Sequence, residues 1–213
     1  MNRSLLLFAT IMILLTQSRA FSQTDELKKF EVAAEFSSIQ RESFDTRTEA
    51  GFGGRFTYNL NRVFAIEAAG YFFPKECFSC RNNGRVTQVV AGVKAGKRFE
   101  KWGIFAKGRP GFVSFSDGKF DVRALSTTGI PFELAFDRLT SFAADVGGVV
   151  EFYPSKRIVT RFDAGDTIIH FKRRTATGVI FEPPGGGFSF FPITTPARTT
   201  HNFQFMASVG FKF

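Results

Sequence analysis

Apolar and polar residues alternate with a period of two along most of this chain. The clearest run closes it. Phe203, Phe205, Ala207, Val209, Phe211 and Phe213 are apolar, while Asn202, Gln204, Met206, Ser208, Gly210 and Lys212 between them are polar, small or flexible. Strict alternation over this length predicts a β-strand with two chemically different faces. Seven earlier stretches share the pattern, at 29–37, 49–58, 63–73, 86–99, 102–115, 140–153 and 157–171. The fold class this predicts is all-β, with eight strands and the closing one spanning Thr199 to Phe213. A Phe-rich strand left unpaired at the end of a chain would invite aggregation, so both of its edges are expected to be paired.

The connections alternate as regularly as the residues. Asn59-Leu60-Asn61-Arg62, Glu100-Lys101 and Pro154-Ser155-Lys156 are tight turns, whereas the other four connections are longer loops of about ten to twenty-five residues. Short turns therefore gather at one end and long loops at the other. This predicts an antiparallel up-and-down transmembrane β-barrel, with periplasmic turns and extracellular loops. Each stretch is also long enough for a tilted membrane strand of about 9–11 residues. Pro110 interrupts the fifth stretch and predicts a bulge, because proline cannot donate to a ladder.

Energetics sets which face meets lipid. Arg or Lys on the lipid face near the midplane costs about 2–4 kcal/mol. Reversing the stretch 157–171 would put Arg161 and Asp163 in hydrocarbon, and reversing 102–115 would do the same to Lys107 and Arg109. The Phe faces must then point outward. The inward set holds the acids Glu31, Glu35, Glu67, Asp145, Glu151 and Asp163 and the bases Arg55, Lys94, Lys107, Arg109, Arg161 and Lys212. The interior of an eight-stranded barrel is just wide enough for side chains to fill. Six acids against six bases there read as a packed ion-pair network and not as the one-signed lining of a selective pore.

Composition refines this picture. With 30 Phe and 20 Gly in 213 residues, the chain is too aromatic for disorder. Residues 1–22 join the basic Arg3 to the apolar run Leu5–Leu15 and the small residues near Ala20-Phe21-Ser22, which predicts a cleaved signal peptide. Cleavage after Ala20 and after Ser22 both fit. Residues 23–28 form a short linker, and 29–213 form the barrel. Removing the signal takes two of the 28 Lys and Arg residues, leaving 26 against 19 acids, a net charge of +7. That excess falls at the strand ends, on Arg62, Lys97, Arg98, Lys101, Lys156 and Arg157 in the turns and on Lys172, Arg173 and Arg174 in the last loop. Basic residues there suit either anionic outer-membrane lipid and lipopolysaccharide or ordinary solvated surface. No aromatic–basic module of nucleic-acid type is present. Cys77 and Cys80 lie in one four-residue unit and read as a local disulfide or as paired free thiols. Neither they nor the distant His170 and His201 predict a metal site or any cofactor.

The signal segment, the eight stretches and the ending F-Q-F-M-A-S-V-G-F-K-F resemble the small eight-stranded outer-membrane barrels of the OmpA-like and OmpX-like group. The likeness covers 29–213. It implies an outer-membrane location and a monomer. It also implies that Phe205, Val209, Phe211 and Phe213 form the C-terminal signal read by the barrel assembly machinery. Members of the group act as tethers, adhesins, resistance factors and lipid A enzymes. No peptidoglycan-binding segment follows the barrel here, so the tether is not expected.

A barrel enzyme acting on lipid A would need a serine beside a histidine base and an orienting acid. His170, His201 and Ser189 are the candidates, but His201 is followed by Asn202-Phe203 and lacks the His-x-Ser arrangement. A soluble lipocalin-like barrel would carry its apolar face inward. The expectation is therefore a non-enzymatic barrel with a structural or surface-interaction role, its specificity sought in the 172–198 loop.

Overall fold

The computed structural model describes residues 28–41, 47–74, 85–116, 118–121, 133–136, 138–182 and 187–213, and all regular structure among them is β. Twelve strands follow one another: β1 (Phe30–Arg41), β2 (Arg47–Asn59), β3 (Phe64–Phe73), β4 (Val86–Arg98), β5 (Trp102–Phe115), β6 (Gly118–Asp121), β7 (Glu133–Phe136), β8 (Leu139–Phe152), β9 (Ile158–Phe171), β10 (Arg174–Glu182), β11 (Gly187–Thr195) and β12 (Arg198–Lys212). Eight of them close into an antiparallel barrel in the order β1-β12-β9-β8-β5-β4-β3-β2.

Closure is complete at the seam between the first and last strands. Glu31 pairs with Lys212 and the register continues to Gln40 opposite Phe203. Beyond it, Phe30 and Phe213 exchange backbone hydrogen bonds of 3.1 and 2.9 Å, and their rings stack with centroids 5.8 Å apart. Following the paired residues around the barrel from Phe30 passes Tyr58, Ile66, Val93, Gly108, Val146, Asp166 and Phe203 and returns to β1 at Gln40. The stagger is thus ten residues. At about 3.3 Å per residue and about 4.8 Å between strands, it corresponds to a tilt of roughly 40°.

The turns are held by their own side chains. Asn61 Oδ1 accepts from the amides of Val63 (2.8 Å) and Phe64 (2.7 Å), and Ser155 Oγ accepts from Ile158 (3.0 Å). Such local acceptors are why Asn and Ser suit turns. Phe99 and Trp102 bracket the Glu100-Lys101 turn, joined by a 2.8 Å backbone bond and stacked at 4.2 Å.

Four features differ from the sequence reading. The pairing of β1 with β2 runs out to Arg41 and Arg47, leaving only 42–46 between them. Two connections carry further hairpins, β6 with β7 and β10 with β11. The 172–198 stretch is therefore mostly a paired ribbon and not a free loop. Pro110 makes no bulge: the register of β5 stays constant against β8, and against β4 it is the same before and after a gap at Ala91 and Gly92. The missing N–H leaves rungs unmade without shifting the strand.

The barrel wall has the polarity of a membrane protein. Large apolar side chains face outward on every strand of the barrel, from Phe52 and Val209 at 60% exposure to Phe205 at 39%. On β12 the outward series from Phe213 to Phe203 rises about 25 Å at the same tilt, matching the apolar band of such barrels.

Candidate functional site

The interior is where the charged residues converge. All twelve residues of the expected inward set are buried, because alternation along tilted strands sends every second side chain to the axis. Glu67 of β3 lies at the centre. Its carboxylate meets Arg55 and Lys94, each at 3.3 Å, Arg109 at 3.6 Å, and Arg161, whose Nη2 donates at 3.1 Å. Arg55 also donates to Glu35 at 2.8 Å, and Lys94 pairs with Glu151. Arg161 donates to Asp163 at 2.8 Å. Lys107 bridges Asp145 (3.0 Å) and Asp163 (3.2 Å), and Arg109 pairs with Asp145. Each cation is thus shared between acids from different strands, which ties opposite walls together.

Lys212 and Glu31 stand apart from the rest of the twelve in their contacts. Lys212 places its ammonium 3.8 Å from the centroid of the Tyr153 ring, a cation–π contact at the turn end. Burial and the neighbouring Glu151 push the Tyr153 phenol above its ordinary range. Glu31 lies 3.0 Å from Arg55, yet neither of its oxygens accepts a well-directed hydrogen bond. Proximity supplies that attraction without orbital alignment.

Other interior residues escaped the sequence reading. Arg98, assigned there to the turn surface, bends inward to Tyr153 Oη and Asn59 Oδ1, each at 3.0 Å. Its place at the last residue of β4 lets the long side chain reach either side. Arg41 and Glu49 form a further pair toward the loop end. Above the charges, Gln88 and Gln204 exchange amide hydrogen bonds of 3.3 and 3.1 Å, and Gln204 donates to Ser37 at 2.8 Å. Beyond these polar groups the lumen turns apolar, with Ile39, Phe73, Val86, Val113, Phe115 and Ile169 buried together and Phe171 packed on them. The signal for that layer was present as apolar doublets near the loop ends, Phe72-Phe73, Phe112-Val113 and Ile168-Ile169, where alternation lapses. Charges thus dominate the turn half of the lumen, while the loop half joins an apolar cluster to the Arg41–Glu49 pair and to buried polar groups such as Thr167 and Asn202.

The two histidines lie on the outer wall. His170 and His201 sit on adjacent strands, His170 opposite Thr199 and His201 opposite Ile168. His170 Nδ1 is 3.1 Å from Thr199 Oγ1, while His201 Nδ1 is 2.6 Å from Asp166 Oδ2. Ser189 belongs to β11, opposite Ile180. Phe205, Val209, Phe211 and Phe213 all face outward. Cys77 and Cys80 lie outside the described residues, as does the segment 1–27.

No protein-family model and no curated protein matches the sequence. Solved structures do. The crystal structure of neisserial surface protein A, NspA, superposes with a TM-score of 0.51 at 13% identity, covering 86% of this chain and 97% of that one. The N-terminal β-barrel domain of Pseudomonas aeruginosa OprF gives 0.40 at 11% identity, over 86% and 97%. Ail of Yersinia pestis, in complex with the heparin analogue sucrose octasulfate, gives 0.42 at 14%, over 87% and 97%. Closed topology, outward apolar belt and likeness to NspA together give this chain the architecture of the small eight-stranded outer-membrane barrels.

Proposed function

We propose that the protein is an integral outer-membrane barrel without catalytic activity, serving a structural or surface-interaction role. The observation that carries this reading is the lumen, filled by paired charges in one half and by packed apolar side chains in the other. Such an interior is spent on cohesion. The outer wall supports the location, because an apolar belt around the whole circumference far exceeds the few hundred Å² that soluble proteins expose. Residues 1–22 direct export and are removed. Phe205, Val209, Phe211 and Phe213 present the closing strand to the barrel assembly machinery, and the basic strand ends meet lipopolysaccharide and anionic lipid. The chain works as a monomer.

The test combines localisation with conductance. The full chain, expressed in a Gram-negative host, should fractionate with the outer membrane and migrate differently on gels before and after boiling. Recovery in the soluble fraction without such a shift would sink the assignment. In planar bilayers the purified barrel should give no large steady conductance, and a stable open channel would overturn the filled-lumen reading.

A further inference from the structure

One seam of the apolar belt is cut by a carboxylate. Asp166 faces outward on β9, in register with Phe203 on β12 and Val146 on β8. The outward face of β8 stays apolar beyond that level, through Ala144 to Phe142. Asp166 therefore lies within the belt and not above it. An ionised carboxylate there is expensive unless hydrogen-bonded, and it is well held: His201 Nδ1 stands 2.6 Å from Oδ2, and the Asn202 amide donates to Oδ1 at 2.8 Å. Beside it the wall carries a shallow, open recess lined by Ala164, Gly165, Asp166, His201 and Phe203.

The same two strands change character in order toward the loop end. Above the dyad come the hydroxyl of Thr199 and the exposed ring of His170, 3.1 Å apart. Above those, at the strand ends, Arg198, Lys172 and Arg173 are all exposed, with Arg198 lying over the Phe171 ring at 5.2 Å. From belt to loops the seam thus offers an apolar hollow, then hydrogen-bonding groups, then three cations. Other seams at the upper belt carry aromatic pairs, Phe52 with Phe72 and Phe112 with Phe142.

We infer that the outer face of the β9–β12 seam binds one phosphorylated glycolipid of the outer leaflet. The acyl chain would lie in the recess, sugar hydroxyls or amides would meet Asp166 and His201, and a phosphate would meet Arg198, Lys172 and Arg173. The order of chemistry along the seam is the order along such an amphiphile. Asp166, level with the last outward Phe of β12, argues for a hydroxyl or amide of the glycolipid reaching down to the belt's upper part, because a carboxylate accepts such hydrogens but repels phosphate. Three clustered cations suit a phosphomonoester better than the single charge of a phosphodiester. This inference rests on the outer-membrane reading, and the experiment separates the two.

The full chain is refolded in detergent, checked by its heat-dependent gel shift, and titrated with bis-phosphorylated lipid A or with phosphatidylglycerol under native mass spectrometry. Lipid A should bind tighter than phosphatidylglycerol. Lys172→Glu with Arg198→Glu should weaken it by at least about fivefold for each cation removed, whereas Lys97→Glu with Lys101→Glu at the short-turn end of the barrel should not. Asp166→Leu should reduce the preference for lipid A while the contribution of the three cations remains. Equal binding of both lipids, equal loss in the short-turn variant, or an unaltered Asp166→Leu overturns the site even when the gel shift is normal. A missing shift instead overturns the barrel reading, and the site with it.

Discussion

Removing the central carboxylate tests whether the lumen is held by its charges. Glu67→Gln keeps the shape of the side chain but leaves Arg55, Lys94, Arg109 and Arg161 without their common partner, which now lies 3.1 to 3.6 Å from them. At an effective dielectric near 20, each contact amounts to about 5 kcal/mol of gross attraction. Desolvation and the repulsion among four cations offset most of that. Removing one partner of a buried network typically costs about 3–5 kcal/mol. Against a total stability of about 5–15 kcal/mol, the loss is large. Trp102 is the sole tryptophan and sits on the wall near the turn end, so its fluorescence follows unfolding directly. In urea titrations of the barrel folded in phosphatidylcholine vesicles, Glu67→Gln should lower the stability by about 3–5 kcal/mol. Adding Arg161→Gln removes one cation as well, and the double variant should be about 1–3 kcal/mol more stable than the sum of the single effects. A loss below about 1 kcal/mol, or strict additivity, would refute the idea of a shared anion.

Three further outcomes are expected. Deleting Phe213 removes two backbone bonds and a ring stack from the closing seam, and should lower the heat-shifted membrane band at unchanged synthesis; normal levels would argue against the assembly role. Gly165→Val should destabilise the barrel by about 1–3 kcal/mol, because a Cβ there would come 2.2 Å from the Val146 carbonyl oxygen; the urea midpoint would show it. Phe73→Ala should cost about 3–5 kcal/mol by opening a void in the apolar half of the lumen, and an unchanged midpoint would mean that half is not packed.

How much of this was legible beforehand follows from which forces act locally. Strand β5 was read with its observed bounds, Trp102 to Phe115, because alternation, a short turn and flanking polar residues coincide there. The inward set was legible because charge in hydrocarbon is so unfavourable that one face excludes the other. Arg98 was misplaced for the converse reason: at a strand end, a flexible side chain chooses its side by partners that only the closed barrel supplies. The apolar upper lumen was missed because alternation cannot tell an inward Phe from an outward one when both faces are greasy, as at Phe72-Phe73. The hairpins escaped because neither 174–182 nor 187–195 alternates cleanly between Phe and polar residues. Asp166 was passed over on the outward face of β9, since its partner His201 is distant in sequence.

The two-tone lumen has an electrical consequence. Its more apolar half works as a stopper above the central charged network, with Ile39, Phe73, Phe115 and Ile169 between that network and the loop-side medium. Tyr153 and Arg98 crowd the other mouth. Dissolved ions screen exposed charges within about 10 Å at 0.1 M salt, but they screen buried pairs far less. The barrel should then behave as two circuits. Its rim of lysines and arginines would answer to the ionic strength outside, while the wiring within would run at constant voltage from fresh water to brine.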